Sequence, residues 1–144
     1  MTHGAFAPGA RGPLGHDRRV SAASQVLALI AALIHVEIFV LESVLWMRPA
    51  VHRRFLVRSR DEASLIRPFM LNQGFYNLFL AAGILVGLVL LRTGSATAGR
   101  AVVVFCCASI LAAAVVLLGT ERKLLRAALV QGVPPALALA LLPF

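Results

Sequence analysis

The chain is predicted to be an all-α polytopic membrane protein, a four-transmembrane-helix bundle behind a flexible N-terminal tail. Three observations carry this expectation. Hydrophobic residues make up 60% of the sequence and charged residues only 14%, whereas about a quarter of a soluble domain is charged. Four apolar stretches follow residue 20, the second and third long and nearly free of charge. At roughly 20 residues per crossing, 144 residues can traverse a bilayer about four times, with no length left for a separate soluble domain. The domain reading is therefore residues 1–20 as a tail and residues 21–144 as one transmembrane domain.

The tail, MTHGAFAPGARGPLGHDRRV, is rich in Gly and Pro and lacks an apolar core, so it reads as flexible chain rather than as a secretory signal. The first span is expected near Ala22–Trp46. It is too long for a cleavable signal and contains His35, Glu37 and Glu42, so it is expected to stay in the mature protein. The basic stretch RRFLVRSRDEASLIRP can form a short interfacial helix carrying Phe55, Leu56 and Leu65. The second span is expected near Pro68–Leu91 and the third near Ala101–Gly119. The fourth, near Leu124–Leu142, contains Pro134 and Pro135; membrane helices tolerate proline where neighbouring groups satisfy the freed carbonyls, so a bent helix is expected.

Basic residues set the orientation. Six lie in the first loop and three in the third, against five on the opposite face. The positive-inside rule then places the first and third loops in the cytoplasm and both termini on the non-cytoplasmic side of the cell membrane. The formal charge of +8 does not indicate nucleic acid, because the charges flank spans and lack interleaved aromatics. Their expected partner is the lipid bilayer itself.

Candidate chemistry begins in HVEIFVLESVLW, where His35, Phe39, Glu42 and Trp46 recur at intervals of four, three and four and so share a helical face. An ionised carboxylate in hydrocarbon costs several kcal/mol, so Glu42 should face other helices, hydrate, or hold its proton. Glu37 lies about 200° around from His35 and forms no obvious dyad with Glu42. The second span opens with Asn72, Gln73, Tyr76 and Asn77 in two consecutive turns, supplying amides and a phenol that can orient a ligand without net charge; the alternative is interhelical glue. Gln131 reaches the same bilayer half from the fourth span. Convergence of polar groups from three helices at one level predicts a pocket, with Trp46 near the headgroups, Glu42 and the amides further in, and His35 toward the floor.

Other features are read as structural. Gly83 and Gly87 form a GxxxG pattern suited to close helix packing. Adjacent Cys106 and Cys107 suit neither a disulfide nor a metal pair and are expected to act as small apolar residues. CxxC arrays, HExxH, phosphate-binding glycine loops and nucleophile elbows are all missing from the sequence, so no metal and no cofactor is expected.

The strings HVEIFVLESVLW, NQGFYNLFLAAG (Asn72 to Gly83) and VQGVPPALALALL, with Gln131 and Pro134, resemble a family of small integral-membrane proteins catalogued as domain of unknown function 1304. The resemblance covers nearly everything after the tail. It implies a four-helix membrane bundle and no particular reaction.

The function expected from these residues is a membrane enzyme that isomerises or cyclises a lipophilic small molecule by general acid-base catalysis. Glu42, His35 and Tyr76 would be catalytic, and Trp46, Asn72, Gln73, Asn77, Gln131 and Phe39 would bind substrate. Its division of labour is an analogy to membrane isomerases that act on lipids with carboxylates, histidine, asparagine and tryptophan. The alternative is a non-enzymatic proton-coupled transporter or channel subunit, since intramembrane ionisable groups also line transport paths. A homo-oligomer is compatible with either reading.

Overall fold

The computed structural model describes residues 20–142; the tail expected over residues 1–20 therefore lies almost wholly outside the described residues. Within them the chain is all helical. Helix α1 spans Ala22–Phe39, capped by Ser21, whose hydroxyl accepts from the Ser24 amide, and it continues into a π-helical turn over Val40–Val44. The first loop holds a single turn, α2 (Pro49–His52), and a 3-10 turn, Arg53–Phe55. Helix α3 runs from Arg60 to Leu90, α4 from Ala96 to Thr120, and α5 from Leu125 to Ala140 after a 3-10 turn at Arg122–Leu124.

Three of these segments are long and apolar enough to cross a membrane: Ala22–Val44, α3 and α4. The large side chains that remain exposed on them, among them Leu33, Phe69, Phe79, Phe105 and Val115, are those a hydrocarbon solvent favours. Helix α5 has 16 residues and keeps one helical course through Pro134 and Pro135.

The α3 start differs from the expected boundary. No separate interfacial helix precedes Pro68; α3 begins eight residues earlier, at Arg60, and Pro68 lies inside it. The cause is a reciprocal capping box. The Ser59 hydroxyl accepts from the Glu62 amide at 3.1 Å, and the Glu62 carboxylate accepts from the Ser59 amide at 3.4 Å, so two otherwise orphaned N–H groups are satisfied there.

The long helices pack as a ring in the order α1, α3, α4, α5. At one end the ring is tight. Ala28, Ala31 and Ala32 of α1 meet Ala81 and Ile84 of α3, Val103 to Ile110 of α4, and Ala138 of α5. Small residues dominate because lipid offers no hydrophobic drive between helices and dispersion requires close approach. The expected glycine contact is present here: a Cβ on Gly87 would sit 2.9 Å from the Gly99 carbonyl oxygen, and one on Gly83 2.6 Å from the Cys106 sulfur. Cys106 and Cys107 are free and buried within this core, and the Ser24 hydroxyl donates to the Ala138 carbonyl at 2.8 Å, tying α1 to α5.

At the other end the helices hold together in pairs. Gly74 lets α3 approach Glu42 and Ser43 on the π turn, and Gly132 lets α5 approach Ala114 on α4. A cavity occupies the space between the two pairs.

Candidate functional site

The cavity has a volume of about 490 Å³, within the range of sites that enclose drug-sized ligands. All four long helices line it, from the π-turn end of α1 to the first turns of α5. Most of its wall is apolar, with Ile38, Leu41, Leu80, Ile110 and Leu117 prominent, while nine of its twenty lining residues are polar or charged.

Glu42 is 6% exposed and sits in the π turn. That turn, closed by the Leu45 amide donating to the Val40 carbonyl at 2.9 Å, accommodates one extra residue, a distortion frequent at functional sites. It is held to α3 by the Ser43 hydroxyl, which donates to the Leu71 carbonyl at 3.2 Å. Gly74 makes the approach possible: a side chain there would collide with Ser43 Oγ and lie 3.2 Å from Glu42 Cβ. In the resulting geometry Asn77 Nδ2 donates to Glu42 Oε2 at 2.9 Å and to the Gln73 carbonyl at 3.1 Å. A backbone carbonyl only accepts, so the second bond fixes which way the amide is turned, and Oε2 of Glu42 is an acceptor whatever the carboxyl's charge. A proton on neutral Glu42 is favoured on Oε1, which leaves Oε2 as the carbonyl oxygen, the better acceptor for Asn77.

His35 is 2% exposed and borders both the core and the cavity. Its Nδ1 lies 2.8 Å from the Ala31 carbonyl oxygen. Since that oxygen accepts, Nδ1 carries the hydrogen, and the neutral ring presents the lone pair of Nε2. Gln73, Tyr76 and Gln131 complete the set of expected residues that line the cavity. Tyr76 is 57% exposed and so stands at the edge rather than in the interior.

Three expected members are placed elsewhere. Trp46 lies beyond the last turn of the helix, which ends at Val44, so the shared face with Glu42 does not extend to it. Its indole is buried beneath the first loop, 5.5 Å from the Phe55 ring, and donates to the Ala63 carbonyl at 2.8 Å. Phe39 turns toward α3 and packs edge-on against Phe75 at 5.2 Å. Asn72 is exposed and outside the cavity; on a regular helix it lies about 140° around from Asn77, too far for a short side chain to reach inward.

Residues 29–143 match the family described as "Protein of unknown function (DUF1304)". The chain belongs to this family. No curated protein and no solved structure matches it. The part of this DUF1304 chain covered by the match takes in every residue that lines the cavity.

Sequence reasoning passed over Glu37, Arg54 and Arg126, all of which line the cavity. The angle between Glu37 and His35 separates them on α1, yet the cavity also reaches the flank that carries Ile34, Ile38 and Leu41. In sequence the two arginines are indistinguishable from the other cations that set topology. Gly74 carried a readable signal, a glycine embedded among amides, whose meaning depends on which helix lies opposite.

Proposed function

We propose that this DUF1304 protein is a membrane enzyme that moves protons on a lipophilic small molecule, shifting a double bond or closing a ring. One observation carries the reading: a buried carboxyl with one oxygen engaged by Asn77 and the other unengaged shares an apolar cavity with an imidazole whose Nδ1 is already occupied. In a double-bond shift, Glu42 Oε1 gives its proton to one alkene carbon and His35 Nε2 removes a proton from the allylic carbon. Glu42 then holds a negative charge and His35 a positive one. Loss of the His35 proton to water and uptake of one from water by Glu42 then reset the site between turnovers, with no net gain or loss. Asn77 stabilises the carboxylate formed midway, and Gln73, Tyr76 and Gln131 orient the substrate's polar end. An apolar wall suits such a step because it excludes water from a short-lived cation.

The test is deuterium incorporation. Purified protein in phosphatidylcholine nanodiscs, incubated in D₂O with the apolar extract of its own host membranes, should add one deuteron per turnover to a recovered lipid, read by mass spectrometry. Glu42→Gln should remove that signal while leaving the fold intact by circular dichroism. Incorporation that persists in Glu42→Gln excludes the acid role. No chemical change, together with an altered proton flux through sealed vesicles, would favour a proton-coupled transporter instead.

The same reading takes α5 as a fourth span, with both termini outside. Sixteen α-helical residues and the 3-10 turn before them reach roughly 30 Å, the thickness of a hydrocarbon core. The end of α5 also meets the start of α1, where the Ser21 hydroxyl donates to the Leu141 carbonyl at 3.3 Å. In a cysteine-free C106S/C107S background, an impermeant maleimide applied from outside should label Thr93→Cys and Leu141→Cys but not Lys123→Cys. Protection of Leu141→Cys in intact cells would refute the fourth crossing.

A further inference from the structure

Two arginines line the same cavity as Glu42 and His35 but come from different parts of the chain. Arg54 belongs to the 3-10 turn of the first loop and Arg126 to the first turn of α5. Both are exposed at the loop end of the bundle, the level of headgroups rather than hydrocarbon. A wholly apolar substrate would need neither. Cations that only set topology have no reason to meet at one opening, where like charges repel each other. Nearby carboxylates are engaged otherwise: Glu62 accepts from the Arg58 and Ser59 amides at 3.2 and 3.4 Å, and Glu121 accepts from the Lys123 amide at 3.1 Å. Glu37 also lines the cavity and balances at most one of the two positive charges; Glu42, the other carboxyl there, is the neutral acid of the proposed reaction.

The geometry points to an anionic amphiphile as the occupant: a carboxylate or phosphate held by Arg54 and Arg126 at the mouth, and a hydrocarbon chain along the apolar wall toward Glu42 and His35. This deepens the proton-transfer reading by naming its substrate class, and it rests on that reading only for what happens to the chain once bound. Guanidinium groups suit either headgroup, because their planar N–H pairs match two oxygens of a carboxylate or a phosphate. The arginines also set register. Along α5, Arg126 precedes Gln131 by five residues, about 7.5 Å of rise, so an anchored headgroup would hold one particular segment of the chain beside the acid and the base.

The test uses the full-length protein in phosphatidylcholine nanodiscs, with Trp46 as the reporter. It is the only tryptophan in the chain, and it packs on Phe55, which lines the cavity next to Arg54. Decanoate, decyl phosphate and decanol are titrated at a pH where both acids are ionised. At least one acid should bind about tenfold more tightly than decanol, in keeping with charge-assisted hydrogen bonds; which acid does so distinguishes a carboxylate substrate from a phosphate. Arg54→Gln with Arg126→Gln should abolish the preference, whereas Arg58→Gln with Arg60→Gln, at arginines outside the cavity, should preserve it. Equal binding of decanol, or equal loss in both double variants, overturns the proposal, the latter because it would reduce the effect to general surface charge. Glu42→Gln should keep the anion preference, so a failure of proton transfer and a failure of anion binding are read separately.

Discussion

Gly74→Ala tests how the site is assembled. The new methyl group would collide with Ser43 Oγ and lie 3.2 Å from Glu42 Cβ and 3.3 Å from the Phe39 carbonyl oxygen. Ser43 can rotate away, but only by giving up its bond to the Leu71 carbonyl, and interhelical hydrogen bonds of that kind average about 0.6 kcal/mol in membranes. The other two neighbours belong to the helix itself, so α1 must move by a few tenths of an ångström; overpacking of this sort costs about 1–3 kcal/mol. Alanine recovers about 0.5–1 kcal/mol over glycine within a helix. The net expectation is a destabilisation of about 1–3 kcal/mol, with Asn77 drawn away from Glu42.

Reversible denaturant titration in mixed micelles, followed by circular dichroism, measures the change. Two companions make the result specific. Gly119→Ala, where a Cβ meets nothing within 4 Å, should be neutral or slightly stabilising. Ser43→Ala combined with Gly74→Ala removes the worst collision but leaves the contacts with Glu42 Cβ and the Phe39 carbonyl and lacks the Leu71 bond in any case, so it should recover little of the lost stability. A Gly74→Ala protein within about 0.5 kcal/mol of wild type, the scatter of independent sites, would refute the argument that this glycine sets the spacing between α1 and α3.

Other consequences follow from single contacts. Asn77→Leu strands Glu42 Oε2 without its donor and should cost about 1–3 kcal/mol in the same titration, whereas Glu42→Leu with Asn77→Leu should recover most of it, because removing both partners leaves nothing unsatisfied; no cost in the single variant would mean that the bond is not formed. Ser24→Ala loses the donor to Ala138 and should cost about 0.5–1.5 kcal/mol, with faster hydrogen exchange at the α1–α5 end; unchanged exchange would count against that tie. Cys106 and Cys107, 6% and 0% exposed, should resist a membrane-permeant maleimide in the folded protein and react after denaturation in sodium dodecyl sulfate. Ready labelling in the native state would contradict the packed core around them.

His35, Glu42, Asn77 and Gln131 were readable because each is out of place in hydrocarbon, and a group that lipid rejects must turn inward whatever its neighbours are. Periodicity alone groups Trp46, Phe39 and Asn72 with them; for Trp46 it fails because the helix stops being regular, whereas Phe39, still in the regular part of α1, is turned aside against Phe75. The π turn at Val40–Val44 and the end of the helix at Val44 break the face that runs from His35 to Trp46, and neither leaves a mark in the spacing of residue types. Asn72 shows the converse: the α-helix there is regular, but only the position of α1 and α5 decides which flank of α3 is inside.

Local composition by itself determined that the chain is helical, apolar and built around a few intramembrane polar groups, because hydrogen bonding and desolvation in lipid act on each segment separately. Tertiary packing alone decided that the bundle closes at the alanine-rich end and parts at the other, that Gly74 brings Asn77 to Glu42, and that Arg54 and Arg126 reach the same opening. Those outcomes depend on contacts such as Asn77 with Glu42 and Ser24 with Ala138, 35 and 114 residues apart in sequence, and a contact of that kind is set by which surfaces fit, a property no single stretch of sequence possesses.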